Sequence, residues 1–426
     1  VSRSRWQRTG AMVIALAVGS TLTACGDTAE DGAVEISFHW WGNDDRAEAT
    51  QAAVDLFMAE NPDITVSVSF ADYNAYVERL STQVAGGNSP DVVQTDMPFL
   101  REFADRGVLA DLGEHVGSEI DTGDLPTSLI DGASIDGVLY AIPAGQNTQT
   151  LLYDVEQWEA AEVEPPSAGW TWDDFEEAGS RIHEATDGEV YGYSDFGGFS
   201  DWFDFWLRQD GKSLYDPEGA LGFEEADLVE FWTWTKSLQA SGVVTPAEVT
   251  TTFNGSIDTS PLVLGRSAAE FNYDSSAPSY HASSDGLVEL APWPTDTDST
   301  GMLAASASMY SIGSSSDHPV ESAMLIDFLV NDVEAGQALG VVRSMPPNAA
   351  VREAIGTDLD GANQQVFDYQ ESVADLMGEA PNAPPTGAGS VKRSFTVIYD
   401  SYNFGGMSVE DAAAQLMNEA RQSLDG

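Results

Sequence analysis

Residues 34–40, VEISFHW, alternate apolar and polar: Val34, Ile36, Phe38 and Trp40 fall on one face, and Glu35, Ser37, His39 and then Trp41 on the other. A period of two predicts a half-buried strand. The period then lengthens to that of a helix over DRAEATQAAVDLFMAENP, with Ala49, Ala53, Leu56 and Phe57 on one face. Asp45 reads as its N-cap, with Glu48 three residues on, and Asn61-Pro62 as its stop. Residues 64–70 alternate again, residues 73–85 return to helical spacing until Gly86-Gly87, and residues 90–96, PDVVQTD, form a short apolar run. This β-α-β-α-β order predicts a parallel sheet with helices on both faces. Ligands of such sheets bind outside the carboxyl ends of the strands. That draws attention to Trp41-Gly42-Asn43-Asp44 and to Asp96. The alternation assigns Trp40 to the core. It leaves Trp41 with two readings, a second core residue or a platform at the sheet edge. Gly42, lacking a side chain, would let a ligand approach the backbone there.

Further along, residues 136–154 have strand-like ends around a break at residues 143–145, as expected of a chain crossing between lobes. Thr171 caps a helix, with Asp174 in the capping-box position. Residues 195–211, DFGGFSDWFDFWLRQDG, crowd five aromatics behind a Gly-Gly turn. The helix DLVEFWTWTKSL places Leu228, Phe231, Trp232 and Thr235 inward, and residues 291–301 form a Pro-broken loop. A last helix begins at Ser408 as N-cap with Asp411 at its third position. The chain carries no internal repeat and no low-complexity tract.

Composition narrows this picture. A chain of 426 residues exceeds one ordinary core and suits two lobes. Its 70 acids against 17 bases give a net charge of −53, which makes nucleic acid a poor partner and repels anionic ligands at long range. The scatter of the acids reads as solubility or salt adaptation of the whole surface. The single cysteine, Cys25, excludes an intrachain disulfide. Residues 1–24 carry Arg3, Arg5 and Arg8, a short apolar run and small residues, the pattern of a signal peptide. The tetrapeptide LTAC ending at Cys25 resembles the bacterial lipobox, so Cys25 is expected to be lipidated, with residues 25–33 as a polar tether. The mature chain would then lie on the extracytoplasmic face of the cell membrane, held only by lipid.

Catalytic and metal chemistry is hard to find. The five histidines have no metal-pair spacing. DTDSTG at residues 296–301 fails as a calcium loop, because Ala307 stands where the twelfth-position Glu should be. There is no G-x-S-x-G elbow and no P-loop. No cofactor, metal or enzymatic activity is expected.

The segments ISFHWWGNDD, FMAENPDITV, AGGNSPDVVQTD, ADRGVLADL, GVLYAIPAGQNTQTLLYD, TWDDF, SAMLIDFLV and RSMPPN, in this order from about Val34 to Leu424, resemble a family. It is that of the bacterial extracellular solute-binding lipoproteins of ABC sugar importers, which includes maltose-binding protein. The resemblance implies an α/β, two-lobe flytrap fold of the periplasmic-binding-protein type, usually monomeric, with ligand in the cleft between lobes. Lobe one would hold residues 34–145 and 304–348, and lobe two residues 149–300 and 352–426. The crossings would fall near residues 145–148, 301–303 and 346–348. By the same resemblance, the ligand contacts would be Trp41, Asn43 and Asp44 after the first strand, Asp96 after the third, and Asn147 at the first crossing. Lobe two would add Phe199, Trp202, Tyr273 and Asp274. Each has a plainer reading: Trp202 as core, Asp44 as a helix cap, Asn147 as a turn residue. One departure stands out. SVKRSF, with Lys392 and Arg393, replaces the aromatic that maltose-binding relatives place there.

The implied function is capture of a mono- or oligosaccharide for ABC permease subunits in the membrane. A pyranose wants an aromatic plane against its C–H face and carboxylates or amides around its hydroxyl rim. Two alternatives remain from sequence: a same-fold binder of a polyol phosphate, polyamine or peptide, and a secreted carbohydrate-active enzyme.

Overall fold

The alternation at the start of the chain becomes strand β1 (Val34–Trp41) in the computed structural model, which describes residues 34–424 except 254–256, 285–286, 358, 360 and 379–383. The expected signal peptide, Cys25 and the expected tether lie outside the described residues. The remaining strands are β2 (Ile64–Ala71), β3 (Val92–Thr95), β4 (Ser134–Ile135), β5 (Val138–Leu139), β6 (Ile142–Asn147), β7 (Gln149–Asp154), β8 (Ala269–Tyr273), β9 (Val288–Ala291) and β10 (Ala305–Ile312).

A five-stranded sheet in the order β2-β1-β3-β10-β6 builds lobe one. β1 runs parallel to both β2 and β3, and β10 runs antiparallel to β3 and β6. The chain leaves β1 toward β2 on one side and returns to β3 on the other. The carboxyl edge between β1 and β3 is therefore a topological switch point. Ile36, Phe38 and Trp40 are buried as the alternation requires, and pack with Ala53, Val54, Phe57 and Ile326. Each such side chain contributes about 1.5–3 kcal/mol by leaving water.

Two details of the first helix differ from expectation. The helix is Asp44–Glu60, and its N-cap is Asn43, whose Oδ1 accepts from the Arg46 N–H at 3.0 Å. Asp45 instead joins Asp44 in the first turn, where carboxylates favour the helix dipole. The inward stripe is Thr50, Ala53, Val54 and Phe57, while Ala49 and Leu56 are only half-buried.

The break expected at residues 143–145 is not a break, because β6 runs through Pro143. β6 is the edge of its sheet, where a missing N–H is tolerated, and β10 shifts register opposite it around Ser308. Gly145 is required by a close approach: a Cβ there would lie 1.7 Å from the Arg343 carbonyl oxygen.

Past Thr148 the chain enters β7, the centre of an antiparallel sheet ordered β8-β7-β9. One side of this sheet carries the aromatic core of lobe two, and the other packs Leu152, Leu262, Tyr280 and Val366. The Thr171–Asp174 capping box starts the helix Trp172–Ala185. Leu228, Phe231, Trp232 and Thr235 are buried on the helix Glu225–Ala240. Ser408 and Asp411 exchange hydrogen bonds at the head of the helix Val409–Leu424.

The third crossing differs from expectation. The helix Ala349–Gly356 packs on the lobe-one helices Pro319–Asn331 and Val333–Leu339. Val351 seals it there, so tightly that a Cβ on Gly336 would lie 2.2 Å from Val351 Cγ1. The helix Gly361–Ser372 packs instead on lobe two, against β9. The helix Ala349–Gly356 therefore sits with the lobe-one helices beyond the expected crossing at residues 346–348, and its Arg352 also reaches Glu371 of the following helix at 3.4 Å.

Candidate functional site

The carboxyl ends of β1, β2 and β3 bring Trp41, Tyr73 and Asp96 together. Trp41 is half-buried, and its ring meets Tyr73 edge-on at 5.4 Å and Tyr76 at 5.4 Å. Tyr73 is 40% exposed and donates its hydroxyl proton to Asp96 Oδ2 at 2.8 Å. Burial and the Asp96 carboxylate push that hydroxyl above its ordinary range. Beside it, Phe70 is exposed and stacks on Trp40 at 6.0 Å. The edge thus offers aromatic surface with a carboxylate in its rim.

Asn43 caps the first helix, and Asp44 is exposed in its opening turn. Gly42 has a different use from the expected one. The space beside it is filled by Arg46, whose Cδ would lie 2.4 Å from a Cβ on Gly42. Arg46 donates to the Trp41 carbonyl at 3.1 Å and to the Val342 carbonyl at 2.8 Å. Burial, with Arg343 nearby, lowers its pKa to about 10.

At the first crossing, Asn147 Nδ2 donates to Ser275 Oγ at 3.4 Å. Asp274, expected to face ligand, is fully buried with both oxygens engaged. Oδ1 accepts from the Thr148 N–H at 3.1 Å and Oδ2 from Gln370 Nε2 at 2.6 Å. Gln370 Oε1 in turn accepts from Gln146 Nε2 at 2.9 Å. Burial raises the Asp274 carboxyl to about 7, against the pull of those hydrogen bonds. Asp274 fastens the crossing and presents no open oxygen. Thr148 also donates its hydroxyl to the Leu303 carbonyl, and Leu303 N–H donates to Gln149 Oε1, so the first two crossings are tied side by side.

In lobe two, Tyr273 ends β8 half-buried against Trp202, with ring centroids 5.5 Å apart. Trp202 is only 8% exposed and also packs on Phe205 and Trp293. Trp202 is therefore mostly core, with Tyr273 as the more open member of the pair. Phe199 is half-buried just before the helix Ser200–Gln209 and faces Phe253. From Trp202 a line of indoles runs through Trp293 at 5.4 Å and Trp172 at 6.3 Å to Trp234 at 4.8 Å.

The two cations of SVKRSF lie on the helix Ala388–Asn403 and divide. Lys392 pairs with Asp201 at 2.7 Å, next to Trp202 in the chain, while Arg393 turns back to Ser390. Sequence reasoning missed Tyr73, Ser275 and Asp201. Tyr73 had a signal, since the end of β2 lies on the same edge as β1 and β3. Asp201 and Ser275 had none, because only the fold selects them from a crowd of acids and serines. Among the described residues, no group of three His, Cys, Asp or Glu could hold a metal ion, and no helix is long and apolar enough to cross a membrane.

Comparisons with known proteins agree with this fold. The family model described as bacterial extracellular solute-binding protein matches residues 43–335. A family 1 extracellular solute-binding protein from Alicyclobacillus acidocaldarius is 28% identical, with a TM-score of 0.78 over 92% of this chain and 99% of that one. A periplasmic oligogalacturonide-binding protein from Yersinia enterocolitica shares the fold at 24% identity and a TM-score of 0.78, over 92% and 100% of the two chains. A lipoprotein of Streptomyces antibioticus, from the oleD 5′ region and uncharacterised, is 28% identical over 157 residues. That stretch is 36% of this chain and spans about a third of the relative, 34% of its length.

Proposed function

This chain belongs to the bacterial extracellular solute-binding proteins, and on that premise we propose that it captures a mono- or oligosaccharide between its lobes for an ABC importer. The observation that carries the reading is the pairing of aromatic surface with polar rim on both lobes: Trp41, Tyr73 and Asp96 on one, and Tyr273, backed by the largely buried Trp202, with Asp201 on the other. Asn43, Asp44, Asn147 and Phe199 complete the rim. A neutral sugar is indifferent to the net charge of −53. Indoles and phenols stack on its C–H face while carboxylates and amides take its hydroxyls. The oligogalacturonide ligand named for the Yersinia relative supports a carbohydrate as the class, while its carboxylates set it apart from the neutral sugar proposed for this chain. Capture proceeds by hinge closure about the crossings at Thr148 and Leu303 and the passage after Gly356, with no bond made or broken. The protein acts as a monomer that delivers its ligand to the permease, anchored outside the membrane through lipid on Cys25.

The test is a thermal-shift screen against a saccharide panel, followed by chromatography of the ligand. A specific sugar at 100 times its Kd should stabilise the fold by about 2.7 kcal/mol. The sugar should be recovered intact. A panel without a shift would overturn the saccharide reading, and a shortened oligosaccharide would replace binder with enzyme.

A further inference from the structure

Arg343 is 4% exposed, and among the described residues no carboxylate pairs with it, in a chain carrying 70 acids. Its guanidinium lies over three strands of lobe one. Tyr310 on β10 stands opposite Gln94 on β3. The parallel register of β1 with β3, Phe38 with Val92 and His39 with Val93, continues to bring Trp40 level with Gln94. Trp40, Gln94 and Tyr310 therefore form a lateral row on one face of the sheet, each nearly or fully buried. The Arg343 guanidinium carbon is 5.9 Å from the Trp40 ring centroid and 5.6 Å from that of Tyr310. Its Nε donates to Gln94 Oε1 at 3.2 Å and its Nη1 to Thr50 Oγ1 at 2.8 Å.

What is left over in this row is all of one kind. Arg343 Nη2, Gln94 Nε2, Trp40 Nε1 and the Tyr310 hydroxyl are buried and find no hydrogen-bond partner among the described residues. Each carries an N–H or O–H. A second guanidinium, Arg46, lies near enough for Arg343 to disfavour its charge. Buried donors without acceptors, around a buried charge without a counter-charge, are a costly arrangement that native folds avoid. Water answers only part of it. A water accepts hydrogen bonds, but its own protons would face further donors, and it leaves the guanidinium charge uncompensated. A small anion accepts from every side and cancels the charge.

We propose that Arg343, Trp40, Gln94 and Tyr310 form a buried site for one monovalent halide ion, such as chloride, beneath the carboxyl edge of the lobe-one sheet. A spherical ion suits donors arriving from a flat row and from a guanidinium above it. A single negative charge would answer the Arg343 guanidinium at the centre of the row.

The experiment uses the full chain at fixed ionic strength, with chloride or bromide replacing gluconate. Thermal stability should rise saturably with halide, which separates site binding from the unsaturating effect of co-solutes on burial. Tyr310→Phe keeps its ring and removes only the O–H donor, while Trp40→Phe keeps an aromatic ring but also removes the indole's five-membered ring with its N–H. Tyr310→Phe is therefore the cleaner variant, and it should fold and need roughly tenfold more halide for the same shift, as expected for one lost bond to a charge. Crystals grown in bromide should show an anomalous peak within hydrogen-bond distance of Arg343 Nη2. A melting temperature indifferent to the anion overturns the proposal. So does a halide response unchanged in Tyr310→Phe, or a bromide peak elsewhere only.

Discussion

Trp40 and Trp41 are chain neighbours with opposite surroundings, and substitution should separate them. Trp40 is 1% exposed and packs on Phe38, so Trp40→Ala should cost about 3–5 kcal/mol of stability. Trp41 is half-buried at the sheet edge, with its ring against Tyr73 and Tyr76, and Trp41→Ala should leave the fold nearly intact. It should weaken sugar binding by about tenfold, as one stacking contact is worth about 1–2 kcal/mol. Melting temperature and titration calorimetry on both variants decide it, and reversed behaviour would reverse the faces. Cys25 makes an independent case at this scale: Cys25→Ser should move the protein from membranes to detergent-free solution, and a variant that stays membrane-bound refutes the anchor. The faces of β1 were legible because alternation is a local property. The use of Gly42 was not, because the arrival of Arg46 depends on the Val342 carbonyl nearly three hundred residues away.

Among the elements, the crossing at Thr148 carries a titratable group. Asp274 has its carboxyl raised to about 7 from an ordinary 3.8. The folded state therefore holds this proton more tightly than the unfolded chain. Its contribution to stability is full below pH 3.8, declines as pH rises toward 7, and is flat above. Asp274→Asn should remove that decline, and urea midpoints at several pH values between 4 and 8 would show it. An unchanged slope in the variant would assign the dependence to other groups, such as Asp195, which burial raises to about 6. The variant should fold, because the Gln146–Gln370 relay can reverse: both amides turn, and the unpartnered Gln146 Oε1 gains a donor. Helix ends and strand periods were readable here, the Thr171–Asp174 box above all. The passage of Pro143 through a strand was not, since it depends on β6 being a sheet edge. Nor was the lobe assignment of Ala349–Gly356, which rests on Val351 meeting Gly336.

At the scale of the molecule, the proposed two lobes and their crossings predict closure. Saturating saccharide should reduce the radius of gyration in small-angle scattering, and an unchanged profile would argue against a hinge about these crossings. The order and spacing of weak segments made the fold readable from sequence, because most of them end a strand or cap a helix of the same frame, while SAMLIDFLV lies within the helix Pro319–Asn331. The ligand was less readable. The proposed walls are assembled from strand ends far apart in sequence, and a surplus of acids hides the few that the proposed site uses, such as Asp96 and Asp201.

The line of indoles from Trp202 to Trp234 has an optical consequence. Neighbouring rings at 4.8–6.3 Å share electronic excitation, so light absorbed at the outer end can be emitted, or lost, at the cleft end. Lobe two would then report on its own cleft without an added dye: a solute touching Tyr273 and Trp202 alters the glow of indoles it never meets. Trp202→Phe should break the line at its cleft end and leave a fainter response to the same solute.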